Sequence, residues 1–103
     1  MSLATGNAVA VATATWTTVA TVTGDGTKQH IGAILACDDA AVAFQMRIQI
    51  NGTNIVAPMQ VPAGQTGVVY DSPTTIPNAQ TCTVQAQQAS GSSKNFSGTL
   101  LGS

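Results

Sequence analysis

Glutamate is absent from this chain, and charge of either sign is scarce. The acids are Asp25, Asp38, Asp39 and Asp71; the bases are Lys28, Arg47 and Lys94. Charged residues make up 7% of the 103 residues, against about a quarter in an ordinary soluble domain. Each shortage excludes something. Three scattered bases build no patch able to neutralise phosphates, so nucleic acid is not expected as a partner. No apolar run approaches the ~20 residues of a membrane span, so no membrane is expected either. His30 is the only histidine, and Cys37 and Cys82 sit in no CxxC or Cys/His cluster, so no metal ligand set is expected. Gly24-Asp25-Gly26 lacks the strand–loop–helix context and Lys–Ser/Thr ending of a phosphate loop, and no cofactor is expected. The N-terminus has no basic stretch followed by a continuous apolar one, so no secretory signal is expected.

What fills the surface is Thr, Ala, Gln, Ser, Gly and Asn. With a net charge of −1, repulsion between copies is weak and association is easy. A chain that lives packed against copies of itself or against a partner fits that balance.

The clearest structural signal lies in the middle. Val42, Phe44, Met46, Ile48 and Ile50 alternate with Ala43, Gln45, Arg47 and Gln49, the period-two pattern of a half-buried strand. Asn51-Gly52 then tolerates the positive φ of a tight reversal. Ile55 to Val61 returns, with Pro58 marking an edge or a break. Asp38 offers a competing helix cap for Ala40 to Phe44, but the alternation favours strand. Other strands are expected over Thr13–Thr23 (Ala14, Trp16, Thr18, Ala20 and Val22 on one face), Lys28–Cys37 (Ile31 and Leu35 inward) and Thr66–Asp71 (Val68 and Tyr70 together). Two more follow at Gln80–Gln88 (Cys82, Val84 and Ala86 inward) and Lys94–Leu101 (Phe96 the anchor). Cys37 and Cys82 are in phase with apolar neighbours, which suits small core residues, although one bridge is also open.

Met1–Ala12 is small, uncharged and short of large side chains. It reads as an extended arm, a loosely held first strand, or a frayed terminus. The fold expected is therefore all-β: a single β-sandwich or jelly roll of about seven strands over 13–103, with an N-terminal arm over 1–12.

Catalytic chemistry needs a positioned acid, base or nucleophile with an orienting partner. His30 stands alone, and no nucleophile elbow is present. Asp25 and Asp71 pair only speculatively, and Asp38-Asp39 has too few companions for calcium. No enzyme is expected. Sugar binding is harder to dismiss, because Trp16 and Tyr70 are able to stack on a saccharide beside loop residues such as Asp38, Asp39, Asn54 and Asp71. For Trp16, packing in the core or against a neighbour is the competing role.

Ala79-Gln-Thr-Cys-Thr-Val-Gln-Ala-Gln-Gln88 and Ser92-Ser-Lys-Asn-Phe-Ser-Gly-Thr-Leu-Leu101 resemble the end of the jelly roll shared by complement globular heads and tumour-necrosis-factor-like proteins. That resemblance implies a closing Phe-Ser-Gly-x-Leu-Leu strand. The whole chain, Thr/Ala/Gly-rich and charge-poor, also resembles the capsid decoration (cement) proteins of tailed bacteriophages. This second resemblance is one of composition. It implies a homo-oligomer, dimer or trimer, made in the host cytoplasm and seated on the capsid surface against the major capsid protein. It also implies that the arm clamps shell subunits, with Leu3, Val9, Val11 and Trp16 as the partner-binding residues. The alternative is a phage fibre or adhesin module recognising host glycans.

Overall fold

Eight strands form two antiparallel four-stranded sheets packed face to face, a β-sandwich without helix among the described residues. The computed structural model describes residues 2–103; Met1 and the side chains of Ser2, Tyr70 and Asp71 lie outside the description. In chain order the strands are β1 (Ser2–Val11), β2 (Thr17–Thr23), β3 (His30–Cys37), β4 (Phe44–Ile50), β5 (Thr53–Val61), β6 (Gly67–Pro73), β7 (Thr81–Gln88) and β8 (Lys94–Gly102). Sheet A has the order β1-β8-β3-β6, and sheet B the order β2-β7-β4-β5. The pairing is nested. β4 and β5 form the innermost hairpin, β3 pairs with β6, β2 with β7, and β1 with β8. One long hairpin rolled over on itself gives this order.

The central alternation holds throughout. Phe44, Met46, Ile48 and Ile50 are buried, and Gln45, Arg47 and Gln49 face outward. Asn51 and Gly52, at φ 52° and 85°, make the mirror-image turn whose twist suits a two-residue hairpin. Pro58 falls where β5 carries an extra residue, between the pairs Met46↔Met59 and Ile48↔Val56, on the outer strand of sheet B. A missing N–H is tolerated there, because a bulge at an edge asks for no ladder bond.

The core fills the space between the sheets. Ile31, Ala33 and Leu35 of β3, Phe96 and Leu100 of β8, Met46 and Ile48 of β4, and Cys82, Val84 and Ala86 of β7 form one buried cluster. Each large side chain buried this way contributes about 1.5–3 kcal/mol. Both cysteines are free thiols. Cys82 is fully buried and Cys37 half-buried against the core, as small core residues rather than a bridge.

Three expectations need correction. Residues 2–11 are not a free arm: they form edge strand β1, so the sandwich has eight strands rather than about seven. Small residues are required there, because a side chain on Gly6 would run into the Val19 backbone carbonyl of β2. The first strand expected over Thr13–Thr23 begins only at Thr17, and Ala14 has a left-handed φ of 57°. Within it, Thr18↔Gln85 and Ala20↔Val84 leave Val19 as an extra residue, so Val19 and Ala20 are both buried and the alternation breaks. In β6 it is Val69, opposite Ala33, that packs against the core, while Val68 shares the outer face with Ile34. The pairing of Val68 with Tyr70 lies outside the described side chains.

The one buried polar side chain among the described residues, Gln88, ties the ends of β1, β7 and β8 together. Its Nε2 donates to the carbonyls of Val11 and Ser92, both at 2.9 Å. Its Oε1 accepts the Ser90 N–H at 2.6 Å and the Ser90 hydroxyl. A buried amide with every group paired specifies one arrangement of the strands around it.

Candidate functional site

The residues expected to grip a partner separate into two groups. Leu3, Val9 and Val11 lie on the core side of β1: Val11 is fully buried, Val9 sits opposite Phe96, and Leu3 packs against the core. A partner reaching for them would have to lift β1 out of its sheet. Trp16 is different. It precedes β2, is half-buried, and is not part of the core.

Two faces of the sandwich remain for binding. On the outside of sheet A, Thr5, Thr99, Ile34 and Val68 form one cross-strand row over β1, β8, β3 and β6. Leu101 lies beside it, opposite Gly32. Ile34, at 42% exposure, is the one large hydrophobic side chain that stands exposed among the described residues. None of the described side chains on this face is Lys, Arg, Asp or Glu, since Lys94 shares the inward phase of Phe96 and pairs with Asp39. One of the two edges of the face is β1, which carries no charge and no proline, whereas the β6 edge holds Asp71 and Pro73. Charge and proline are the usual devices that stop an edge from pairing with another chain. Bulges are the devices present: one at Leu3 and one at Asn7-Ala8. Ala8, at φ 53°, turns its N–H to the Ser97 hydroxyl at 3.1 Å, and that hydroxyl donates to the Asn7 side chain.

The outside of sheet B is polar and flat. Thr18, Gln85 and Arg47 form one cross-strand row; Thr21, Thr83, Gln49 and Asn54 form the next. The Arg47 guanidinium lies 4.1 Å from the centroid of the Trp16 ring. Its Nε donates to Gln85 Oε1 at 2.7 Å, and Gln85 Nε2 donates onward to the Thr18 hydroxyl at 3.2 Å. Gln49 Nε2 donates to Asn54 Oδ1 at 2.8 Å. No signal in the sequence links Trp16 with Arg47; the strand order alone brings them together.

The loop acids do not converge. Asp38 and Asp39 line an open hollow of about 420 Å³ with Ala40, Ser93, Lys94 and Asn95. Asp39 accepts the Ala41 N–H at 2.9 Å and pairs with Lys94 at 2.9 Å. Those bonds, the Ala41 one first, hold its carboxyl below the usual range, and the same pairing raises Lys94. Asn54 lies at the opposite end of sheet B, opposite Gln49. Asp25 is engaged within its own turn, accepting the Thr27 N–H at 3.0 Å and hydroxyl at 2.6 Å, which lowers its pKa. Tyr70 and Asp71, named for stacking and for a carboxylate pair, lie outside the described side chains. His30 is exposed at the start of β3. No group of three or more metal-ligating side chains occurs among the described residues. Comparison with family models, with curated proteins and with solved structures finds no match to this chain.

Proposed function

We propose that this chain is a non-enzymatic structural protein of a virion, which binds the outside of an assembled phage capsid and stabilises it. The observation that carries the reading is the outer face of sheet A, whose described side chains carry no charge, centred on exposed Ile34 and bordered by the uncharged edge of β1. A face without charge, with an exposed aliphatic side chain at its centre, offers no repulsion to oppose association. On this reading two or three copies meet through it, and the oligomer sits on the major capsid protein at the joints between shell subunits. Because only the assembled shell presents those joints, binding stabilises assembly by mass action. Several weak contacts made at once by an oligomer multiply into firm attachment. The nested strand order supports the reading, since it is compatible with a jelly roll, an architecture common in viral shells.

The test is solution mass by light scattering across a dilution series, for the natural chain and for Ile34→Lys. A stable dimer or trimer that becomes monomeric in Ile34→Lys is expected. A natural chain that is monomeric at every concentration removes the homo-oligomer. The shell partner is tested by co-sedimentation: retention on intact capsids, with no binding to free capsid subunits, is expected.

A further inference from the structure

We infer that the outer face of sheet B is a binding site for a carboxylate-bearing saccharide, with Arg47 as the group that reads the carboxylate. The inference stands on the opposite face from the shell reading and does not depend on it.

Arg47 is the only charged side chain among the outward positions of β4 and β7. It has no carboxylate partner among the described residues. A lone guanidinium on a flexible stem would be an ordinary surface group, but this one is held in place. Gln85 takes its Nε at 2.7 Å, Thr18 fixes Gln85 in turn, and the Trp16 ring supports the guanidinium plane at 4.1 Å. Holding an arginine in this way removes rotamer entropy before any ligand arrives. The terminal nitrogens have no hydrogen-bond partner among the described residues. Their planar pair of donors matches the two oxygens of a carboxylate.

The surroundings choose the rest of the ligand. The outward positions of β4 and β7 are Gln45, Gln49, Thr81, Thr83 and Gln87 beside Arg47 and Gln85, with no aliphatic side chain among them. A protein partner would need several apolar anchors at the centre of its interface; the outward positions of β4 and β7 hold none, and the Trp16 ring at their side already carries the guanidinium. A nucleic acid would need several bases, and this face has one. Neutral amides and hydroxyls on a rigid sheet suit a ligand rich in hydroxyl groups. Trp16, whose ring carries the guanidinium, stands beside them.

Trp16 is the only tryptophan, and the proposed reading group lies on its ring. Its fluorescence is therefore a built-in reporter. The natural chain is titrated with oligogalacturonate, neutral malto-oligosaccharide, dextran sulfate and a polyglutamate peptide. A saturable change with oligogalacturonate is expected, with binding of the other three about tenfold weaker or more. Arg47→Gln, checked for an unchanged melting temperature, is expected to weaken oligogalacturonate at least about tenfold. Arg47→Lys, which keeps the charge without the planar fork, is expected to weaken it similarly. No saturable response to oligogalacturonate overturns the proposal. So does equal binding by the neutral sugar, the sulfated polymer or the acidic peptide, or binding that Arg47→Gln leaves intact.

Discussion

The ring of Phe44 on sheet B meets the ring of Phe96 on sheet A edge to face, with centroids 5.0 Å apart and planes at 83°. Both rings are buried, and the contact joins the two layers. Edge-to-face geometry places the positive rim of one ring against the negative face of the other.

Phe96→Ala is expected to cost about 3–5 kcal/mol, because it removes a buried ring and leaves a hole between the sheets. Phe96→Leu keeps most of the volume and is expected to lose much less. Urea unfolding of the two variants measures the difference. A loss below about 1 kcal/mol for the alanine variant would mean the layers close up without that contact.

Gly6→Val is expected to detach β1. Its added carbon would collide with the Val19 carbonyl, and overpacking of this kind costs about 1–3 kcal/mol or more. Hydrogen exchange should show protection lost selectively over residues 2–11, with the innermost hairpin β4–β5 unchanged. Uniform protection in the variant would overturn this account of why the strand is built from small residues.

Stability is expected to fall in alkali. Burial pushes the Cys82 thiol up to about 11 from an ordinary 9.0, so the folded state holds its proton where the unfolded chain has lost it. Unfolding thus releases a proton above pH 9, and stability declines from there until about 11, where the folded thiol also ionises. Half-buried Cys37 shifts in the same direction, with burial again the main cause. In Cys82→Ala the decline between these pH values should be shallower. An identical slope would place the alkaline sensitivity elsewhere.

Much of this fold was legible because β4 obeys the simplest rule: one face buried, one face wet, and Asn51-Gly52 at the end of it. The phases of β3, β7 and β8 follow the same rule. The rule fails where an extra residue enters. Val19 and Ala20 are consecutive and both buried, and only the pairing with β7 reveals the bulge between Thr18 and Ala20. β1 was hidden for a different reason. Small residues suggested too little material for a core layer, whereas Gly6 is small because another backbone passes beside it. Gln88 shares the inward phase of Cys82, Val84 and Ala86, but periodicity does not show that its amide finds four hydrogen-bonding groups there. The Trp16–Arg47 contact joins distant parts of the chain through strand order, and periodicity carries no information about strand order.

The nested pairing has a consequence for how the chain reaches this state. β4 and β5 need only a two-residue turn to meet, whereas Ala8 and Ser97, joined by a hydrogen bond across β1 and β8, are 89 positions apart. Loop-closure entropy therefore falls most heavily on the outermost pair, and folds dominated by such distant contacts form in milliseconds to seconds. Pulse-labelling during refolding is expected to protect the β4–β5 hairpin first and β1 last. Until β1 closes, the edge of β8 stands open, and copies of a chain with this little charge have little to keep them apart at that moment.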